Sequence, residues 1–247
     1  MDINLKDKII LVVDDELDLR EIIASEFQFQ GAQVFLAENV AKALIVLENN
    51  KIDLVVSDIR MPGATGIDLL DMMKKKNMAI PPLILITGFA DISLEDAFNR
   101  GAEALVNKPF RLDDLVETSY RLLLSTNERW SMEINNPLEK LSLNFKNTFS
   151  ETMNSKDLLM GRGGMSLKFN EPKDYIRVND RIQFEFTFKD TVINGVGICR
   201  WIRTQDSDNG CTTFLGLEFY CLQKSSLDII SNHLNQNSPL PFIPAIS

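Results

Sequence analysis

Asp58 closes an apolar, β-branched run, LVVSD, and a polar loop containing Met61-Pro62-Gly63 follows it at once. Such a change is how a buried parallel strand delivers a side chain to the edge of a sheet. Three other runs end in a similar way. Ile9–Val13 leads into Asp14-Asp15, Leu83–Ile86 into Thr87-Gly88, and Ala104–Val106 is soon followed by Lys108-Pro109-Phe110. In an open parallel sheet, functional groups gather beyond the carboxyl ends of the strands. Three carboxylates, a hydroxyl and an ammonium would therefore converge. Like charges held close repel one another, and an oxygen-ligand cation such as Mg²⁺ relieves them. With that charge balanced, Asp58 has the chemistry of a carboxylate nucleophile toward a phosphoryl group, and Lys108 offsets charge on the phosphoryl oxygens. Taken singly, each residue has an ordinary use as a cap, a turn former or a surface charge. Their joint placement is what singles them out.

The elements that position them alternate regularly. After Ile9–Val13 the pattern predicts a helix near Leu17–Gln30, closed by Gly31, with Leu19, Ile22, Ile23 and Phe27 facing the core. A strand at Val34–Leu36 and a helix at Val40–Glu48 come next, then a strand at Ile52–Val56. Gly66 opens the helix Ile67–Lys76, with Ile67, Leu70 and Met73 facing inward. Its Lys74–Lys76 end reads as a solvated cationic cap favoured by the helix dipole. Strand Leu83–Ile86, a helix near Ile92–Asn99, strand Ala104–Val106 and helix Arg111–Leu124 complete the half. Five strands alternating with five helices predict a doubly wound α/β sheet.

The pieces VVDDE at Val12–Glu16, SDIRMPGATG at Ser57–Gly66, ITGFAD at Ile86–Asp91 and NKPF at Asn107–Phe110 resemble, in order and spacing, the receiver domain of two-component response regulators. The likeness covers about the first 125 residues. It implies a flavodoxin-like fold of strand order 2-1-3-4-5 and Asp58 as phosphoacceptor. Asp15 would bind Mg²⁺ directly and Asp14 through water, with Asp58 and the backbone carbonyl of Arg60 as further ligands. Thr87 and Lys108 would contact the phosphoryl group, with Gly88 leaving room beside them, and Lys108–Pro109 would be cis. Receivers often keep an aromatic residue where this chain has Leu105, so the usual Thr–aromatic switch is in doubt and Leu105 reads as core. The resemblance also implies a histidine kinase or phosphotransfer protein as partner. Ile92–Asn99, Ala104–Val106 and Arg111–Leu124 would form the reporting surface, available to a homodimer. Aspartate-nucleophile phosphatases need a second acid two residues after the nucleophile. Here that residue is Arg60, so the reading is not an enzyme.

The chain of 247 residues has room for two domains. Residues 1–126 carry 13 Lys+Arg against 21 Asp+Glu, and residues 127–247 carry 13 against 14, so neither half has the basic excess of a nucleic-acid binder. No run reaches the ~20 apolar residues of a membrane-spanning helix, and MDINLKDK is too polar for a signal peptide. Cys199, Cys211 and Cys221 are odd in number, form no CxxC and read as reduced packing thiols. His233 reads as a surface residue. The expected location is cytoplasmic.

Residues 127–140 lose periodicity and read as a linker broken at Pro137. Beyond it strands are expected at Leu141–Phe149, Met165–Phe169, Arg181–Phe188, Gly195–Ile202 and Thr212–Tyr220. A helix at Ser225–Leu234 closes the set, which suggests a small antiparallel β-barrel over residues 141–235 and a Pro-containing extended tail over 236–247. MGRGGMSLKF at Met160–Phe169, VNDRIQFEF at Val178–Phe186, CRWIR at Cys199–Arg203 and FLGLEF at Phe214–Phe219 resemble a PilZ domain. That family binds cyclic di-GMP through an RxxxR motif and D/N-x-S-x-x-G, and neither survives. Glu133 stands four residues after Arg129, and Leu159 and Gly161 fill the acidic and Ser positions. No cyclic di-GMP residues are therefore assigned. Arg162, Arg200 and Arg203 read as cation–π or solvated groups. The resulting expectation is a phosphorylation-gated adaptor signalling to an unidentified protein partner. A receptor that still binds cyclic di-GMP by an atypical route is the alternative. A transcription factor fits poorly, since no helix-turn-helix pair is visible.

Overall fold

The structure, a computed structural model, describes residues 3–88, 91–131, 139–153, 155–207, 210–237 and 240–246. Phe89 and Ala90 of ITGFAD, Glu133, Pro137 and Pro239 lie outside the described residues. The chain divides into two compact units, Met1–Ser93 with Arg100–Leu124, and Leu94–Asn99 with Ser125–Ser247.

The first sheet is built from β1 (Ile9–Val13), β2 (Gln33–Ala37), β3 (Leu54–Asp58), β4 (Leu83–Thr87) and β5 (Ala104–Asn107), alternating with α1 (Leu17–Phe29), α2 (Val40–Asn49), α3 (Gly66–Lys76), α4 (Leu94–Arg100) and α5 (Leu112–Leu123). Its order is β2-β1-β3-β4-β5, the order the receiver resemblance implies, and every pair is parallel, as the α/β alternation predicts. β3 and β4 are buried along their whole length, which is why they read as unbroken apolar runs. β3 starts and ends two residues later than predicted, so Asp58 is its last residue.

Two helix readings are corrected. Ile22, expected in the core, is 52 % exposed, because the buried stripe of α1 runs through Arg20, Ile23, Ala24 and Phe27. Lys74, expected in a solvated cap, lies on the buried face of α3 one turn after Leu70. Its Nζ sits 2.9 and 3.1 Å from the two carboxylate oxygens of Glu103 and 3.1 Å from the carbonyl of Pro81. The Leu83 N–H donates to the same carboxylate at 2.6 Å, and both side chains are at most 2 % exposed. A buried cation persists because it is paired and hydrogen-bonded.

The second unit contains α6 (Thr126–Arg129), β6 (Glu139–Asn144), α7 (Phe149–Thr152), β7 (Leu158–Met160), β8 (Gly164–Phe169), β9 (Arg181–Thr187), β10 (Val192–Ser207), β11 (Gly210–Leu222) and α8 (Lys224–Gln236). Its strands form one sheet in the order β6-β9-β10-β11-β8-β7. Among the described residues no pairing joins β7 to β6. The sheet is mixed rather than wholly antiparallel, because β6 and β9 run parallel. Parallel neighbours need a long crossover, and the span from Phe145 to Asp180 supplies it. β6 also ends earlier than expected. Thr148 and Glu151 form a capping box, so Phe149 begins α7 instead of extending the strand.

The alternation in β9 is as read: Ile182, Phe184 and Phe186 are buried while Arg181, Gln183 and Glu185 are exposed. Phe145, Phe149, Phe186 and Phe188 interlock around this face, with Phe145 stacked on Phe188 at 4.8 Å. Trp130, inside the predicted linker, is a core residue. It is fully buried, packs edge-on against Phe219 at 5.2 Å and accepts the Leu222 N–H through its carbonyl. His233 is half-buried on α8 against the Phe149 ring, and burial lowers its pKa.

Candidate functional site

β1, β3, β4 and β5 bring their ends to one edge, as parallel neighbours in register must. Asp58 is 4 % exposed and Asp14 1 %. Lys108 Nζ lies 2.6 Å from Asp58 Oδ1, 3.7 Å from Asp14 Oδ2 and 3.8 Å from Glu16 Oε1. The Arg60 N–H donates to Asp58 Oδ2 at 2.6 Å, and the Glu16 N–H to Asp14 Oδ1 at 2.8 Å. The loop after β3 folds tightly onto α3. A Cβ at Gly66 would lie 2.2 Å from the Asp58 carbonyl oxygen, so only glycine lets the helix start there. The Lys108–Pro109 bond is cis.

Charge is shared unevenly across the cluster. Burial pushes the Asp14 carboxyl above its ordinary range, against the pull of the Glu16 N–H and of Lys108. Burial works against the Lys108 ammonium too, but the Asp58 hydrogen bond and the charges of Asp14, Asp58 and Glu16 outweigh it and raise its pKa. Asp14 Oδ2 is buried without a hydrogen-bond partner. That orphaned oxygen, in a set of carboxylate donors, fits a hard cation such as Mg²⁺.

The predicted convergence is only partly realised. Asp14 and Asp58 share Lys108, but Asp15 is exposed. Among the described residues, no group of three acidic, Cys or His side chains gathers to hold a metal. Successive residues of an extended loop face opposite ways, so burying Asp14 turns Asp15 outward. Thr87 is buried at the end of β4, and its hydroxyl donates to Asp91 at 2.9 Å. Asp91 also accepts Arg60 Nε at 2.7 Å. Partial burial opposes its charge, yet these two bonds prevail and hold its carboxyl below the usual range. Asp91 closes the ITGFAD stretch, and no local sequence signal marks it as the acceptor for Thr87. Arg20 was missed too; its guanidinium donates to the Asp14 carbonyl and braces the β1 end from α1. Leu105 is half-buried.

In the second unit each of the three arginines has a partner of its own. Arg200 pairs with Glu218 at 2.5 Å and reaches Asn179, whereas Arg203 lies over the Phe214 ring at 4.0 Å and Arg162 over Phe242 at 5.5 Å. The segment Leu240–Ile246, expected as a free extended tail, is packed, with Phe242, Ile243 and Ile246 buried. It covers the Gly161–Gly164 turn, where the Arg162 N–H donates to the Pro241 carbonyl at 3.1 Å and the Gly163 N–H to the Phe242 carbonyl at 2.9 Å. All three cysteines are free thiols. Burial pushes Cys199 up to about 12, so it is inert packing.

Residues 10–119 match the family described as the response regulator receiver domain. Two curated relatives agree. The "Phosphate regulon transcriptional regulatory protein PhoB" of Pseudomonas aeruginosa is 35% identical over 112 residues, 44% of this chain and 48% of that protein. "Response regulator SaeR" of Staphylococcus aureus is 32% identical over 133 residues, 54% of this chain and 56% of that protein. The chain thus spans about half the length of the curated relatives it matches. Among solved structures, response regulator protein TrrA from Thermotoga maritima, in complex with Mg²⁺-BeF, is 34% identical. That match covers 47% of this chain and 98% of that one, with a TM-score of 0.42. No helix among the described residues is long and apolar enough to cross a membrane.

Proposed function

We propose, from a chain whose residues 10–119 are a response regulator receiver domain, that Asp58 accepts a phosphoryl group from a histidine kinase or phosphotransfer protein in the cytoplasm. A carboxylate oxygen of Asp58 forms the new bond to phosphorus as the bond to the donor's histidine nitrogen breaks. Asp14, Asp15, Asp58 and the Arg60 carbonyl would hold Mg²⁺, with Asp15 turning in from its exposed position, and the ion would supply neutralising charge. Lys108 moves its hydrogen bond from the Asp58 oxygen to the phosphoryl oxygens, and Thr87 exchanges Asp91 for the same group. The observation that carries this reading is the Lys108–Asp58 contact of 2.6 Å at the strand edge. Incubation with acetyl phosphate should give a phosphoprotein only when Mg²⁺ is present; an equal yield without the metal overturns it. Asp15→Ala should weaken Mg²⁺ binding more than Asp14→Ala, and metal titration showing the reverse order would refute that division of roles.

The proposed receiver spans residues 1–126. The proposed output is a degenerate PilZ-like barrel over 141–235, joined by 127–140 and followed by 236–247. It signals to a protein partner without binding cyclic di-GMP. The absent RxxxR and D/N-x-S-x-x-G residues support this, as do the turn N–H groups already engaged by the Pro241 and Phe242 carbonyls. Each missing charged hydrogen bond costs about 1.5–3 kcal/mol. Losing two arginines should therefore weaken binding by roughly a hundredfold or more. Calorimetric titration should show no binding at micromolar ligand. A dissociation constant below about 10 µM, near −7 kcal/mol, would favour the dual-input reading instead.

A further inference from the structure

The glycines of the Gly161–Gly164 turn are not there for backbone conformation. None of them is among the described residues with positive φ, which are Gly31, Gly63, Gly101 and Gly210 together with Asp7 and Asn179. What they provide is space. A Cβ on Gly163 would lie 2.0 Å from the Phe242 ring, and one on Gly161 would lie 2.6 Å from both the Phe242 carbonyl oxygen and Pro244 Cδ. The turn is therefore a seat shaped to the segment Leu240–Ile246, in the sequence LPFIPAI.

The seat reads that segment largely through its main chain. Carbonyls of Pro241, Phe242, Pro244 and Ile246 accept from the Arg162 N–H, the Gly163 N–H, the Ser166 hydroxyl and the Arg203 guanidinium respectively. Phe242, Ile243 and Ile246 supply the buried side chains. The segment belongs to neither helix nor strand. Carbonyls read by fixed donors, with apolar side chains buried beside them, are one way in which folded domains bind short non-helical segments. Proline lowers the ordering cost of such a ligand.

We propose that the groove formed by the Gly161–Gly164 turn, Ser166 and Arg203 is a peptide-docking site, and that residues 240–246 block it in cis. Its occupant in trans is a short partner segment with the same chemistry: proline, an aromatic residue, an aliphatic residue, proline. This identifies the class of output partner and so rests on the protein-facing reading of the second unit. It is independent of the chemistry at Asp58. A covalently tethered occupant competes at an effective concentration of ~mM, so a partner must displace it or arrive when it is released.

The test uses the full chain with a protease site inserted after Asn237, folded first and then cut. A fluorescent LPFIPAI peptide is titrated and followed by anisotropy. The cut chain should bind it saturably, at least tenfold more tightly than the uncut chain. Phe→Ala in the peptide should lose at least tenfold. Uncut Phe242→Ala, with its own occupant weakened, should bind the peptide more tightly than the uncut wild type. Gly163→Val should remove binding to the cut chain. Should Gly163→Val fail to fold, the Phe242→Ala comparison decides. Equal binding by cut and uncut chains, equal binding of a scrambled peptide, or loss of β circular dichroism on cutting would each overturn the proposal, the last by making the segment an integral part of the fold. Acetyl phosphate labelling of the same cut and uncut samples reads Asp58 separately, so failure of one reading leaves the other standing.

Discussion

Asp58→Asn should leave the chain folded and reduce phosphorylation by acetyl phosphate with Mg²⁺ to background, a fall of well over ~10²-fold, as expected when a nucleophile is removed. Asparagine keeps the shape of aspartate, and its amide oxygen can still accept the Arg60 N–H that now donates to Asp58 at 2.6 Å. What is lost is the carboxylate proposed to form the bond to phosphorus. Lys108→Ala should lower the yield without abolishing it, because its ammonium offsets charge and forms no bond. Phosphate-affinity gels of the three proteins read the result directly. If wild type and Asp58→Asn shift alike, the nucleophile is elsewhere.

Lys74→Met should destabilise the first unit by about 3–5 kcal/mol, the usual cost of stranding one member of a buried ion pair. Glu103 would keep its Leu83 N–H at 2.6 Å but lose the ammonium that neutralises it at 2.9 Å. For a domain of this size the melting temperature should drop by roughly 10–20 °C. The double variant Lys74→Met with Glu103→Leu should recover most of the loss, since no charge is left buried. Recovery should be incomplete, because the Leu83 N–H then has no acceptor and costs about 1–3 kcal/mol. Chemical unfolding of single and double variants checks both points. A Lys74→Met protein within ~1 kcal/mol of wild type would mean that water reaches Glu103.

The first unit was legible because its signals are local. Each buried parallel strand is a short apolar run and each ends in a polar residue, while the order of the strands came from the family resemblance. Asp14, Asp58, Thr87 and Lys108 could therefore be placed at one edge from their positions alone. The alternation of Ile182, Phe184, Phe186 and Phe188 was legible for the same reason, since a strand's two faces are written in its own residues. What the sequence could not decide was pairing across distance. Nothing near Lys74 announces Glu103, 29 residues away, and a run of three lysines at a helix end looks solvated. That Asp91 holds the Thr87 hydroxyl depends on where the loop after β4 settles. Trp130 and Phe242 lie in segments with linker and tail composition, yet both are buried, Trp130 against Phe219 and Phe242 over the Gly161–Gly164 turn. The parallel pairing of β6 with β9 is likewise set by the route of the chain between them. Local chain stiffness and hydrophobic period determine the elements and their faces. Only tertiary packing, which trades conformational entropy for burial among residues far apart in sequence, decides which partner each face and each charge finally meets.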